Sequence, residues 1–580
     1  MLNLRLRQMQ IIMLNIFVSQ LKGYRMLSIL VPFLTFTAVI LDTLLPYYCS
    51  LLIDKGLLIH NLQQIYIYGV VMLLLAVFSL FLGELSVRLA INVSMRFAFN
   101  LRNALFEKIL KLPNTELDRC TRSSLITRIT TDISTIQSTF QQLISSLIHA
   151  PLAFLFNTIM CIVISPRLSL IFLIALFILI ILFVFVVKKI SFMFSKAMKR
   201  YDTFNKRIME CLSAIPLVKA FLTEQHEYSK FKSVSLELAH IFTKIGKYVG
   251  LIVPLISFVL YFSIITMSWY GTHLIAVDLL TTGQLTSLFT YIIMSISYLM
   301  MLSSISIAIS NSKPCMKRVA EVFDDYSLST HEQTTTSLPC YSGDIEFKNI
   351  SFRYVEGNET LHNICFKICS GETVGIVGPA GSGKSTILKL LTGLYAPSKG
   401  EIYIGGHDIK SYRLEEIRSI MGIAFQSSQL FTGTIIDNLK WGNESASMRD
   451  IENACKISCA SDFIKKMSKA LDSSVVQGGR NLSGGQRQRL CIARALLRNP
   501  KIFILDDAIS QCDILTAKKI MENLISIKEH MTKIIISQRS SVISKCSKII
   551  ILDNGNIVEI GTHSQLFQSN KYYRNLLSST

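Results

Sequence analysis

The chain has 580 residues, 50% of them hydrophobic and only 17% charged, with a formal net charge of +20. That length exceeds one hydrophobic core, and the mean hydropathy of +0.44 suits a protein partly dissolved in lipid. Because the basic residues fall between long apolar runs, the positive charge reads as membrane-flanking loops, and a nucleic-acid partner is not expected. The 13 cysteines include no C-x-x-C pair and no His-partnered set with zinc spacing, so they read as reduced small residues.

Residues 1–25 carry Arg5, Arg7, Lys22 and Arg25 among Leu, Ile and Met, a pattern for a short helix lying at the membrane interface. No small-residue cleavage site follows, which argues against a secretory signal, and there is no room for an N-terminal peptidase domain. Apolar segments of spanning length recur at about 26–53, 65–83, 140–164, 168–187, 249–269 and 285–309, roughly six within residues 26–325. Connections after the first, third and fifth hold few basic residues, chiefly Lys55 and Arg167. Those after the second and fourth carry Arg88, Arg96, Arg102, Lys108, Lys111 and Arg128, then Lys188, Lys189, Lys199, Arg200, Lys206 and Arg207. Both chain ends are therefore expected on the cytoplasmic side, with the cell membrane as the expected location.

Proline is absent from Ile65 to Leu112 and from Arg167 to Ile215, so each stretch fits one helix of roughly 70 Å, against a hydrocarbon core of about 30 Å. Each should project into the cytoplasm, turn near Pro113 or Pro216, and return through Leu125–Leu147 or Leu217–Tyr248. Separate amphipathic helices in a small bundle are the alternative. Asp42, inside the first span, is a costly carboxylate that fits either a structural hydrogen bond or a substrate contact. Met294, Met300 and Met301 with Ser295, Ser297, Ser303 and Ser304 give the sixth segment a soft, partly polar surface that suits a permissive cavity, though helix packing explains the serines equally well.

Residues 326–342 read as a linker, and an α/β pattern occupies 343–580: Ile345–Phe352, Thr373–Val377, Glu401–Ile404, Met421–Phe425, Ile502–Leu505, Lys533–Ile536, and Ile549–Leu552 turning at Asp553-Asn554-Gly555. Gly378-Pro379-Ala380-Gly381-Ser382-Gly383-Lys384-Ser385-Thr386 fits G-x-x-x-x-G-K-[ST] between a strand and a helix, the setting of a phosphate-binding P-loop. Glycines turn backbone N–H groups toward phosphate, Lys384 adds positive charge, and the Ser385 hydroxyl suits Mg²⁺. Asp506, ending the apolar run Ile502–Leu505, is a second Mg²⁺ candidate.

Leu482-Ser483-Gly484-Gly485-Gln486 resembles the signature of ATP-binding-cassette (ABC) ATPases, and with six spans ahead of it the chain resembles a half-transporter of the ABC exporter family. The resemblance implies an all-α transmembrane domain of six long helices extending into the cytoplasm, then an α/β nucleotide-binding domain. It also implies ATP and Mg²⁺ as cofactors, and a second half-transporter in a head-to-tail dimer, each ATP lying between one P-loop and the other chain's signature. Tyr354 resembles the adenine-stacking aromatic, Gln426 the loop glutamine that reaches Mg²⁺ or water, and Asp513 the loop aspartate that crosses the dimer interface. The stretch from Glu210 to Glu224 resembles the second coupling segment.

Two positions depart from the family pattern: Asp507 where a water-polarising Glu is usual, and Gln538 where a His contacts the γ-phosphate. Gln477, before the signature, replaces a frequent Glu. Asp507 is one methylene shorter, and Gln538 donates a hydrogen bond but carries no charge. The own P-loop site is thus expected to bind ATP and turn it over poorly, while the intact signature serves a partner; a slow homodimer and an ATP-gated regulatory subunit are the alternatives. Drugs, lipids and peptides all suit the expected apolar cavity as substrates.

Overall fold

A computed structural model describes residues 23–120, 122–324, 342–354, 357–527 and 530–578. The expected interfacial helix at 1–25 and linker at 326–342 therefore lie almost wholly outside the described residues. The chain divides into two units: one holds residues up to Lys111 and from Arg122 to Ser327, the other Leu112–Thr121 and Leu328–Thr580.

The first unit is built on six long helices, α1 (Arg25–Leu51), α2 (Leu62–Lys111), α3 (Ile133–Ile164), α4 (Pro166–Ser213), α5 (Glu224–Ala276) and α6 (Thr282–Asp324). Helices alone satisfy every backbone group within the segment, the condition lipid imposes. α2 and α4 run 50 and 48 residues, matching the expected long projections. Five of the helices carry described windows long and apolar enough to cross a bilayer; in α4 the shorter apolar stretch Pro166–Ile181 is described. Ser165 caps α4 by accepting from Leu168 N, with Pro166 in the first turn where its missing N–H is harmless. On α2 the buried face is Ser79, Ser86, Ala90 and Ser94 among larger residues, small enough for close helix approach, while Leu73, Val77, Phe78 and Phe81 are exposed.

The breaks lie close to where proline predicts them. Pro113 precedes a one-turn helix, Asn114–Arg119, and Pro216 lies in the first turn of Ile215–Ala220. The second return begins at Glu224, later than the expected Leu217, because that short helix intervenes. Two polar ties hold the ends of the bundle. At one, a π-helical turn, Leu52–Leu57, carries Asp54, which accepts from Thr281 Oγ1 (2.5 Å) and Gly283 N (2.8 Å). At the other, Arg318 of α6 donates to both oxygens of Asp132, at 2.8 and 2.5 Å, beside an Arg128–Glu321 pair at 3.3 Å.

In the second unit, β1 (Ile345–Arg353), β2 (Glu359–Ile368), β4 (Lys399–Ile404) and β5 (His407–Asp408) form an antiparallel sheet in the order β2-β1-β4-β5. A six-stranded sheet follows β12-β11-β3-β10-β9-β6, with β3 (Thr373–Val377), β6 (Met421–Ala424), β9 (Ile502–Asp506), β10 (Thr532–Ile536), β11 (Lys548–Asp553) and β12 (Asn556–Gly561). Its strands are parallel except β12. Two tiny strands, β7 (Gly433–Thr434) and β8 (Ser474–Val475), pair separately. One core packs between the two sheets and a second behind β9, β10 and β11, while a third gathers the helical segment 430–497. Asn554 and Gly555 take φ of 45° and 77°, the left-handed pair of a tight hairpin, as the Asp-Asn-Gly sequence predicts. β2 and β12 are additional to the expected strands.

The segment 112–121 belongs to this second unit, where the Tyr395 hydroxyl donates to Asp118. Burial first, and the Asp118 carboxylate second, push the Tyr395 phenol upward, so it stays the donor at neutral pH.

Arg318→Ala should leave Asp132, only 1% exposed, as a buried charge short of its bidentate partner. Melting of the detergent-solubilised protein should fall by about 5 °C or more, and adding Asp132→Asn should recover part of the loss.

Candidate nucleotide site

The P-loop leaves β3 in the middle of the sheet and enters α7 (Lys384–Leu391). Gly378 is irreplaceable on space alone, since a Cβ there would stand 2.2 Å from Leu552 O. Gly381 and Gly383 take φ of +82° and +99°, which L side chains rarely adopt. Lys384 Nζ donates to the carbonyls of Gly378 (2.8 Å) and Pro379 (2.6 Å) and reaches Ser382 Oγ at 3.5 Å, so the cation is held over the loop. Burial lowers its pKa, opposed by the charges of Asp507 and Asp506.

Ser385 Oγ donates to Asp506 Oδ1 at 3.2 Å, joining the first turn of α7 to the end of β9. Burial holds the Asp506 carboxyl above the usual range, against the pull of that hydrogen bond. A hydroxyl and a carboxylate are hard oxygen donors that fit Mg²⁺. Among the described residues no cluster of three or more His, Cys, Asp or Glu could hold a metal, so an ion here would take further ligands from phosphate and water. Thr386 Oγ1 and the Tyr354 hydroxyl lie 3.1 Å apart, and Lys389 Nζ is 3.3 Å from that hydroxyl. Tyr354 thus stands on the flank of α7, edge-on to Phe352 and Tyr395.

Parallel pairing aligns Ile536 with Asp506, and Asp507 N donates to Ile536 O at 3.0 Å. Asp507 and the turn carrying Gln538 consequently emerge from neighbouring strand ends. Asp507 has φ of +48°, a left-handed conformation Asp tolerates better than most residues. Burial raises its carboxyl pKa, with Ser510, Arg539 and Lys384 pulling the other way. Gln538 is exposed, and so is Gln426, two residues beyond β6.

A second surface forms around α8 (Gly484–Leu497). Ser483 is its N-cap: Ser483 Oγ accepts from Gln486 N at 3.3 Å, and Gln486 Oε1 accepts from Ser483 N at 2.9 Å. This capping box fixes the helix start with the Gly484 and Gly485 amides in its first turn. A Cβ on Gly484 would stand 2.0 Å from Gln511 Oε1, and one on Gly485 would stand 2.9 Å from Gln511 O. Asp513 caps α9 (Ile514–Ile525) by accepting from Thr516 N at 2.8 Å, and that bond lowers its carboxyl pKa. Ser483, Gly484, Gly485 and Asp513 line one cleft of about 590 Å³ with Arg487, Arg489, Gln511 and Cys512; no P-loop residue lines it. Gln477 sits exposed in a short turn before this surface.

Two residues that sequence reasoning passed over join these parts. Buried Gln488 accepts from Gln511 N (2.8 Å) and donates to Asp507 O (3.4 Å), tying α8 to the end of β9. Arg539 donates to Cys512 O (2.7 Å) and Ser510 O (2.6 Å), pinning the loop that leads to Asp513. Adjacency to Gln538 was the one signal for Arg539; none pointed to Gln488.

A lipid-length helical unit, followed by a P-loop ATPase fold with a separate signature surface, defines the class: a membrane transporter driven by nucleotide. Residues 28–299 match the ABC transporter transmembrane region and residues 361–510 the ABC transporter family. The chain is 32% identical over 562 residues to the uncharacterized ABC transporter ATP-binding protein YfiB of Bacillus subtilis, covering 97% of each chain. It is 29% identical to the putative ABC transporter ATP-binding protein MG014 of Mycoplasma genitalium, covering 95% of this chain and 96% of that one. A solved bacterial Atm1-family ABC exporter with ATP bound superposes with a TM-score of 0.79 at 25% identity, over 95% of this chain and 97% of that one. The chain belongs to the ABC transporters, as an exporter half-transporter.

Two outcomes follow from this geometry. Because burial raises the Asp507 pKa, its folded-state value lies above the unfolded one, near 3.9. Ionisation therefore costs stability above the raised pKa, and the cost disappears as pH falls below the unfolded value. Asp507→Asn should raise the melting temperature of nucleotide-free protein at pH 7, a gain that shrinks toward pH 4. At Ser483, Ala should cost about 1 kcal/mol of helix-cap stability, whereas Asp preserves the cap and places negative charge where an anion would sit. Calorimetry and ATPase assays on the two variants should therefore diverge.

Proposed function

We propose that this half-transporter moves a hydrophobic or amphipathic substrate, a drug, lipid or peptide, out across the cell membrane with both termini cytoplasmic. It holds ATP at a degenerate site on its own P-loop and lends its signature to a second, different half-transporter. The observation that carries this reading is the contrast between the two surfaces. Asp507 and Gln538 stand where Glu and His would be expected, while Ser483, Gly484, Gly485 and Gln486 keep a complete helix start.

The P-loop amides, Lys384 and Thr386 take the phosphates, Tyr354 takes the adenine, and Ser385, Asp506 and Gln426 hold the Mg²⁺. That ion, when bound, neutralises phosphate charge. Asp507 orients water from one methylene further back than Glu, and Gln538 offers the phosphate a neutral donor. Together these leave binding strong and hydrolysis slow, because loss of a well-placed base is worth about 10²–10⁴ in rate. Asp513 meets the partner across the interface. Nucleotide occupancy favours the closed dimer by differential affinity, and hydrolysis at the partner's P-loop, completed by this chain's signature, resets it. A slow homodimer is the second reading, supported by the fact that Asp507 is still a carboxylate.

Reconstitution in vesicles with the co-expressed second half-transporter tests this. Asp507→Asn should change total ATPase less than about twofold, while Asp507→Glu with Gln538→His should raise own-site turnover by about 10². Rapid hydrolysis by this chain alone, abolished by Asp507→Asn, would establish the homodimer instead.

A further inference from the structure

Inside the first unit, four polar side chains from four helices meet at one depth. Asp42 of α1, Ser79 of α2, His149 of α3 and Tyr298 of α6 lie 15 to 17 residues from the helix ends Leu57, Leu62, Ile164 and Thr282. At 1.5 Å per residue that is about 24 Å along the bundle, inside helices that are long and apolar enough to cross a bilayer. Ser79 Oγ donates to Asp42 Oδ1, and α1, which carries Asp42, packs against both α3, which carries His149, and α6, which carries Tyr298. The His149 and Tyr298 rings lie 5.6 Å apart, centre to centre. His149 Nδ1 is shielded from solvent and has no hydrogen-bond partner among the described residues.

The chemistry of this set is one-sided. A carboxylate and the face of a phenol ring are both groups that receive a cation. No Lys or Arg stands within two helical turns of any of the four along its own helix. A lone carboxylate at such depth is costly and functional by default, and no fixed positive charge nearby on these helices balances it. Asp42 and Tyr298 are each half-buried, so they remain reachable.

Resting on the exporter reading above, we propose that Asp42, His149 and Tyr298 form an intramembrane site for the ammonium group of an amphipathic amine. Asp42 supplies the counter-charge, the Tyr298 ring covers the cation, and His149 packs against that ring and sets its orientation. Ser79 is a positioning residue that orients the carboxylate. The preferred substrates are thereby lipophilic amines, ahead of neutral compounds of the same bulk.

The full-length protein in lipid nanodiscs, without nucleotide, is titrated with dansylcadaverine and with its neutral N-acetyl derivative, following fluorescence anisotropy against empty discs. The amine should bind about tenfold more tightly than the acetylated probe. Asp42→Asn should erase that preference, Tyr298→Leu should weaken it, and Asp42→Glu should retain most of it. Should Asn at 42 prevent folding, Tyr298→Leu must still cut the preference at least about threefold.

Equal binding of the two probes to the native protein overturns the proposal, as does a preference that survives Asp42→Asn. A substitution effect that follows pH alone and moves both probes equally also overturns it, marking a proton site. ATP-driven uptake in vesicles carrying this chain with its co-expressed second half-transporter separates this inference from the reading beneath it. Uptake that ignores the amine sinks the site and keeps the exporter, whereas amine-selective binding without uptake keeps the site and sinks export.

Discussion

The register of β3, β10 and β9 is the constraint on which the nucleotide chemistry depends. Parallel pairing of Thr373–Ile376 with Lys533–Ile536, and of Thr532–Ile536 with Ile502–Asp506, brings three strand ends to one edge. The P-loop, Asp506 with Asp507, and the Gln538 turn all leave from that edge. A one-residue slip would turn every side chain of a strand to its opposite face. The strands at the centre are buried on both sides and rich in Ile and Val, which removes the energetic room for such a slip.

Local side-chain bonds then do what the sheet cannot. Gln488 and Arg539 hold the Ser510–Asp513 loop through its backbone, so the signature helix, that loop and the end of β9 are tied to one another. In the membrane unit the same economy appears at the bundle ends, where Asp54 and Asp132 each hold α6 or its approach by two hydrogen bonds. Between those ends, an apolar cluster including Leu168, Phe172, Met267 and Leu288 packs the interior, and single hydroxyls add bonds such as Thr35 with Ser86 at 2.8 Å and Tyr291 with Thr43 O at 2.8 Å.

Much of this was legible in the sequence for identifiable reasons. Long proline-free apolar stretches define α2 and α4 because a spanning helix leaves few alternatives, and Pro113 and Pro216 mark the breaks because each starts a new short helix there, whereas Pro32, Pro46, Pro151, Pro254 and Pro314 are accommodated within the other long helices. The P-loop and signature read directly because their glycines are demanded by space, at Gly378 against Leu552 and at Gly484 against Gln511. β2 escaped notice because its alternation is broken by Asn363 at positive φ, and β12 because its burial follows a half-exposed edge. The role of Gln488 was invisible: a buried amide on a helix face is defined by partners twenty residues away. The convergence of Asp42 with His149 and Tyr298 likewise depends on which helices neighbour one another, which no single segment encodes.

The left-handed backbone at Asp507 carries a consequence for engineering this edge of the sheet. Short polar residues occupy that conformation with less strain than longer ones, because their side chains bond locally to the main chain. Lengthening the acid at this position therefore sets reach toward the P-loop against ease of the turn, and the main chain itself takes a side in what the pocket can hold.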